Sequence, residues 1–167
     1  MRNGKTLISL LLAQLVWVGA ANADNGDTAD KMWRLLEEGA THVQAVGPEQ
    51  AYRDFAERDG KWQRDGLHVS VVGLDGRIVV DGQDQAKPGS SVDNLKDSTG
   101  RPYGADLVSQ VKEWGHGGVE YAVIDPLTGK GENRTMYATV LPRSAGILTV
   151  DATTGRDGVA GGYRSDK

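Results

Sequence analysis

The sequence predicts an α+β domain, one antiparallel sheet of five strands covered on a face by helices. Three observations carry that prediction. Apolar residues recur at helical spacing from Met32 to Val46, and they alternate at strand spacing in "LHVSVVGLDGRIVVDG" (67–82). The segments then run in the order long helix, short helix, hairpin, helix and three more strands. Strands joined by short turns pair antiparallel, and a half-buried sheet must be covered by helices or by a ligand.

The chain opens as an export leader. Arg2 and Lys5 are followed by a mostly apolar run from Leu7 to Val18, then by the small residues Ala21-Asn22-Ala23. That is the three-part pattern of a secretory signal peptide over 1–23, with cleavage expected after Ala23. The run includes Ser9 and Gln14 and falls short of the roughly 20 residues a membrane span needs. The mature chain is therefore expected to be periplasmic or secreted.

Residues 24–28 are polar, and Thr28 is placed to cap a helix carrying Met32, Leu35, Leu36, Ala40, Val43 and Val46 on one face. Gly47-Pro48 ends it. Pro48 suits the first turn of a second helix with Ala51, Tyr52 and Phe55. Trp33 and Phe55 read as core aromatics. In the hairpin that follows, Asp75-Gly76 is the expected two-residue turn. Residues 82–91 read as a loop, with short turns at Asp93 or Asn94 and at Asp97–Gly100. Pro102 then starts a helix with Leu107, Val108, Val111 and Trp114 on one face. Strands are expected at Val119–Ile124, Arg134–Leu141 and Ile147–Val150. The single domain is expected to span 24–152, with a loose glycine-rich tail over 153–167.

Composition removes several functions. The 167 residues carry a formal net charge of −4, which falls further once Arg2 and Lys5 leave with the leader. An acidic surface with no basic cluster argues against nucleic acid or an anionic membrane as partner. There is no cysteine, which removes disulfides, thiolate metal sites and cysteine nucleophiles. His42, His68 and His116 never fall at metal-ligand spacing. "GHGG" (115–118) has no G-x-S-x-G elbow to serve, and "DGQD" (81–84) lacks the alternating acids of a calcium loop. "GRPYGAD" (100–106) is too poor in glycine for a dinucleotide fingerprint. No cofactor, metal or catalytic set is expected, and Asn133-Arg134-Thr135 matches only the short glycosylation pattern.

Five stretches, in order, carry a family resemblance: "GPEQAYRDFAERDGKW" (47–62), the hairpin at 67–82, "NLKDSTGRPYGADLV" (94–108), "GGVEYAVIDPLTGK" (117–130) and "NRTMYATV" (133–140). Together they resemble the single Cache domain of bacterial sensors across roughly residues 29–150. The resemblance implies a PAS-like fold: a long N-terminal helix against an antiparallel sheet of five to six strands, with short covering helices and a small-molecule pocket on the sheet. It implies small organic acids as ligands, and chemoreceptors or sensor kinases as the setting, although free-standing exported members occur. The chain departs from the family pattern in three places. His68 stands where an aromatic is common, Arg134 where lysine is common, and "GILTVDATTG" (146–155) replaces a glycine-rich last strand. Thr149 and Asp151 thus stand near the pocket-forming end.

A carboxylate needs charge-assisted donors, and the planar fork of arginine matches its two oxygens. Arg134 is the first candidate. Strand alternation puts Arg134, Met136 and Ala138 on one face and Thr135, Tyr137 and Thr139 on the other. Arg134 and Tyr137 therefore share a site only if the strand bulges. Tyr121 is expected to line the pocket and donate its hydroxyl, or else to be an ordinary core tyrosine. Arg101 and Tyr103 flank Pro102 at a helix start that favours anions, or else cap a surface helix. His68 is either structural or a charge gate for acid binding. The expected function is ligand binding in an exported sensor-type domain that presents a small organic anion to a membrane receptor or sensor kinase. The alternative is an interaction module with a closed pocket and a homodimer surface on the helix at 29–46.

Overall fold

The computed structural model describes residues 21–82, 87–124 and 128–156. Its elements are α1 (Ala21–Val46), α2 (Pro48–Phe55), β1 (Gln63–Arg64), β2 (Leu67–Val72), β3 (Ile78–Asp81), α3 (Tyr103–Trp114), β4 (His116–Ile124), β5 (Gly131–Val140) and β6 (Ile147–Arg156), with 3₁₀ turns at Val92–Asn94 and Pro142–Ser144. The sheet is antiparallel and six-stranded in the order β1-β2-β6-β5-β4. β3 joins the outer edge of β2 beside β1.

Most of the expected leader lies outside the described residues. Helix α1 is already formed at Ala21, so Thr28 lies inside it rather than capping it. Met32, Leu35, Leu36 and Val43 are buried against the sheet. Gly39 lets the helix come close, because a Cβ there would lie 2.5 Å from Leu148 Cδ2. Gly47, at φ +82°, breaks the helix and Pro48 opens α2, as the sequence predicts. His42 of α1 and Asp54 of α2 lie 2.6 Å apart. The His42 imidazole and the Phe55 ring both pack on Trp62. Trp33, half-buried, stacks on Tyr137 with centroids 5.0 Å apart.

The hairpin turn is longer than expected. Gly76 N–H donates to Gly73 O and Gly73 N–H to Arg77 O, a three-residue loop whose last residue, Gly76, takes φ +79°. The register shifts between Val71 and Val72, which leaves Val79 exposed. Val80 then faces the α1 core while Ile78 faces the other side.

The sheet is covered on both faces. Helices α1 and α2 pack on one. Helix α3 and the 3₁₀ turn at 92–94 roof part of the other with Leu107, Val108, Val111 and Val92. Trp114 was expected on the buried face of α3. It is 60% exposed at the helix end.

Three strands outrun their predicted limits. β4 takes in the glycines expected as a loop, since Gly118 lies under the Tyr137 ring and Gly117 against Gln110. β5 begins at Gly131, and β6 continues to Arg156 by pairing with β5, past the expected domain end at 152. Residues 157–167 of the expected tail lie outside the described residues. β4 is an edge strand, and three of its backbone groups are already engaged. Gln110 Oε1 accepts from Gly118 N–H, Arg101 Nη2 donates to Glu120 O, and Ser98 N–H donates to Ala122 O. Such cover blunts an edge against pairing with another chain.

Candidate ligand-binding site

Alternation along four strands turns one set of side chains toward α3: His68, Ser70 and Val72 from β2, Thr149 and Asp151 from β6, Arg134 and Met136 from β5, and Tyr121 and Val123 from β4. Between them and α3 lies a cavity of about 490 Å³. Tyr103, Gly104, Leu107 and Val108 form its roof, with Val92 and Leu95 beside them. Most of the wall is apolar, and the polar groups gather at one end.

That end is organised around Asp151. Arg134 donates to Asp151 Oδ1 through Nε at 3.0 Å, and its Nη2 lies 2.9 Å from the same oxygen. The Tyr121 hydroxyl donates to Oδ2 at 2.6 Å. Burial pushes the Asp151 carboxyl up, against the pull of Arg134 and of the Tyr121 hydrogen bond. Both of its oxygens accept from donors, Arg134 on one and the Tyr121 hydroxyl on the other, so the geometry holds the carboxylate form. The Tyr121 ring stacks on Tyr103 at 3.9 Å with 7° between planes. Burial first, then Asp151, pushes the Tyr103 phenol up to about 12, and Tyr121 moves the same way for the same causes. Both hydroxyls therefore keep their protons; that of Tyr121 donates to Asp151.

His68 lies opposite Asp151 across the β2–β6 pair. Its Nδ1 is buried with no hydrogen-bond partner among the described residues. Burial holds the imidazole below its usual range, against the pull of Asp151. A second cavity, of about 450 Å³ and lined in part by Thr28, Asp65 and Thr153, shares His68, Glu132 and Arg134 with the first.

Of the residues singled out in the sequence, Arg134, Tyr121, His68 and Tyr103 meet at this cavity. Arg101 and Tyr137 do not. Arg101 is spent on Asp97, 3.2 Å away, and on the β4 edge. Tyr137 points to the α1 face and stacks on Trp33. The β5–β6 register does shift at Asn133/Arg134, but the extra residue is Thr154 on β6, and Tyr137 stays on the far side. At the start of α3, two of the N–H groups expected to favour an anion are already engaged, since Tyr103 N–H donates to Arg101 O and Gly104 N–H to Leu95 O. Asp81, Lys87 and Glu132, which no sequence motif marks, also line the cavity. Asp81 was legible by pairing, since it faces Ser70 across the hairpin. Among the described residues there is no cluster of three or more metal-ligating side chains.

The sequence model of the family described as Single Cache domain 2 matches residues 56–151. The chain belongs to the single Cache domain family. Such domains are sensory ligand-binding domains of extracytoplasmic type, and among the described residues no helix is long and apolar enough to cross a membrane. The Cache fold is similar to that of a Cache chemosensory domain that recognises carboxylic acids, at 16% identity and TM-score 0.62 over 81% of this chain and 99% of that one. It is also similar to a methyl-accepting chemotaxis protein from Vibrio parahaemolyticus, at 14% identity and TM-score 0.61 over 77% of this chain and 90% of that one. A third likeness is to a periplasmic sensor domain of a chemotaxis protein, at 16% identity and TM-score 0.55 over 78% and 93%. At these identities the likeness shows the fold. No curated protein matches the chain.

Proposed function

We propose that this Cache domain is an exported sensor module that binds a small carboxylic acid in the cavity under α3 and passes its ligand state to a membrane receptor or sensor kinase. The observation that carries the reading is the arrangement of Arg134 and Tyr103 at the polar end of an apolar cavity of about 490 Å³. A pocket of this size with apolar walls and a few placed polar groups is the usual form of a small-molecule site. Arg134 and the Tyr103 hydroxyl supply charge-assisted and neutral donors for a carboxylate, and the apolar walls take its carbon chain. The likeness to a domain that recognises carboxylic acids supports the same class. The task is binding without turnover.

The stripe that would serve a dimer is already used. Met32, Leu35 and Leu36 are 0%, 1% and 1% exposed, so α1 spends them on its own sheet. Isothermal titration of refolded protein with short carboxylic acids, both with and without an amino group, tests the proposal. Saturable one-to-one binding that Tyr103→Phe weakens supports it, and no heat from any acid overturns it.

A further inference from the structure

We propose that the acid bound here also carries an ammonium group, so that the ligand is an amino acid rather than a simple short-chain acid. This rests on the reading that the cavity receives a carboxylic acid, and it follows from the charges that surround the space. Among the described lining residues the cations are Arg134 and Lys87, and the anions are Asp81, Glu132 and Asp151. Lys87 is exposed at the rim. Arg134 is the cation at the buried end, and Asp151 stands against it at 2.9 Å.

A bare carboxylate brought to Arg134 would also come close to Asp151. In a desolvated site that repulsion offsets much of the attraction. A ligand with positive and negative groups a few ångströms apart lies against the Arg134–Asp151 pair with both ends matched. The carboxylate takes donors from Arg134 and the Tyr103 hydroxyl. The ammonium faces the carboxylates.

His68 marks where the ammonium goes. Its ring is held neutral by burial, so one of its nitrogens is an acceptor, and the buried Nδ1 has no partner among the described residues. A buried polar atom left unpaired costs free energy that a ligand N–H recovers. His68 pairs across the sheet with Asp151, and its same-face neighbour on β2, Ser70, pairs with Asp81. Asp151, Arg134 and Asp81 all act on both the His68 imidazole and the Tyr103 phenol. The two carboxylates and the guanidinium thus face one shared space, with acceptors outnumbering cations.

The test uses matched probes on the purified, refolded protein. L-alanine is titrated beside propionate and ethylamine, and L-leucine beside 4-methylpentanoate and 3-methylbutylamine. In at least one triplet the amino acid is expected to bind about tenfold or more tighter than the acid lacking the amine, because a buried site built for an N–H rejects the analogue without it. Asp81→Asn, which removes one of the charges facing the ammonium, is expected to shrink that preference. The wild-type triplets decide the matter even where the variant folds poorly. Acids that equal or exceed their amino acids in both triplets overturn this inference and leave the carboxylate reading standing. Amines that bind as tightly as the amino acids overturn both, and so does the absence of binding by every probe.

Discussion

Arg134 and Asp151, on neighbouring strands, form a bidentate contact through one carboxylate oxygen, with Nε at 3.0 Å and Nη2 at 2.9 Å, and each side chain is only 9% exposed. The pair lies on the cavity side of the sheet. A buried pair of this kind adds little over well-packed apolar residues, but breaking it leaves an uncompensated charge. Arg134→Met is therefore expected to cost about 3–5 kcal/mol in urea unfolding. Adding Asp151→Leu should return most of that loss. Additive losses in the double variant would contradict the pairing.

Tyr121→Phe isolates the second contact to Asp151. The change deletes the hydroxyl that donates at 2.6 Å and leaves the ring stacked on Tyr103. A hydrogen bond to a charged group is worth about 1.5–3 kcal/mol, and the expected loss in urea unfolding lies in that range. A neutral result would mean that Asp151 does not need the donor.

His68 gives the fold a pH dependence of known sign. Burial lowers its pKa below 6.5, Asp151 and Asp81 oppose that shift, and Arg134 reinforces it. The unfolded chain therefore binds the proton first as pH falls. The stabilising contribution is present above the unfolded value and is lost as pH falls through the window between 6.5 and the lower folded value. The urea midpoint measured between about pH 7.5 and 5 should fall in that window, and His68→Phe should flatten the slope. An unchanged slope in His68→Phe would contradict the assignment.

Gly104 fits α3 to the cavity wall. A Cβ at this position would lie 2.5 Å from the Val92 carbonyl oxygen and 2.9 Å from Leu95 Cβ. Gly104→Ala must push the start of the helix off the 3₁₀ turn, at a cost of about 1–3 kcal/mol. Ser109→Ala, on the exposed face of the same helix, should stay within about 0.5 kcal/mol of wild type. Equal effects at the two positions would contradict the close approach.

Periodicity made the three helices and the hairpin legible, and strand alternation correctly put Arg134 and Met136 on one face of β5 and Tyr137 on the other. β1 was not legible. It has only two residues and is held by Gln63, whose side chain reaches Phe55 O and both backbone groups of Val69. The start of β4 was hidden because Gly117 and Gly118 read as loop residues, yet their missing side chains are what admit Gln110 and the Tyr137 ring. The end of β6 is polar and becomes a strand only by pairing with Glu132, Asn133 and Arg134. Asp151 was visible as an odd residue in an apolar strand. Its tie to Arg134 depends on the β5–β6 register, which no local pattern encodes.

A working ligand site under α3 makes the stability of the domain depend on its ligand. Thermal unfolding tests it most directly, on refolded protein stripped of carried-over ligand, against a panel of short carboxylates, their amino-acid counterparts and purines. A ligand at 100 times its dissociation constant stabilises the folded state by about 2.7 kcal/mol. A clear rise in Tm is expected with at least one carboxylate-bearing compound, abolished by Val108→Trp, which fills the cavity. A flat panel, with a Tm that climbs with protein concentration, would contradict it and make the domain an interaction module.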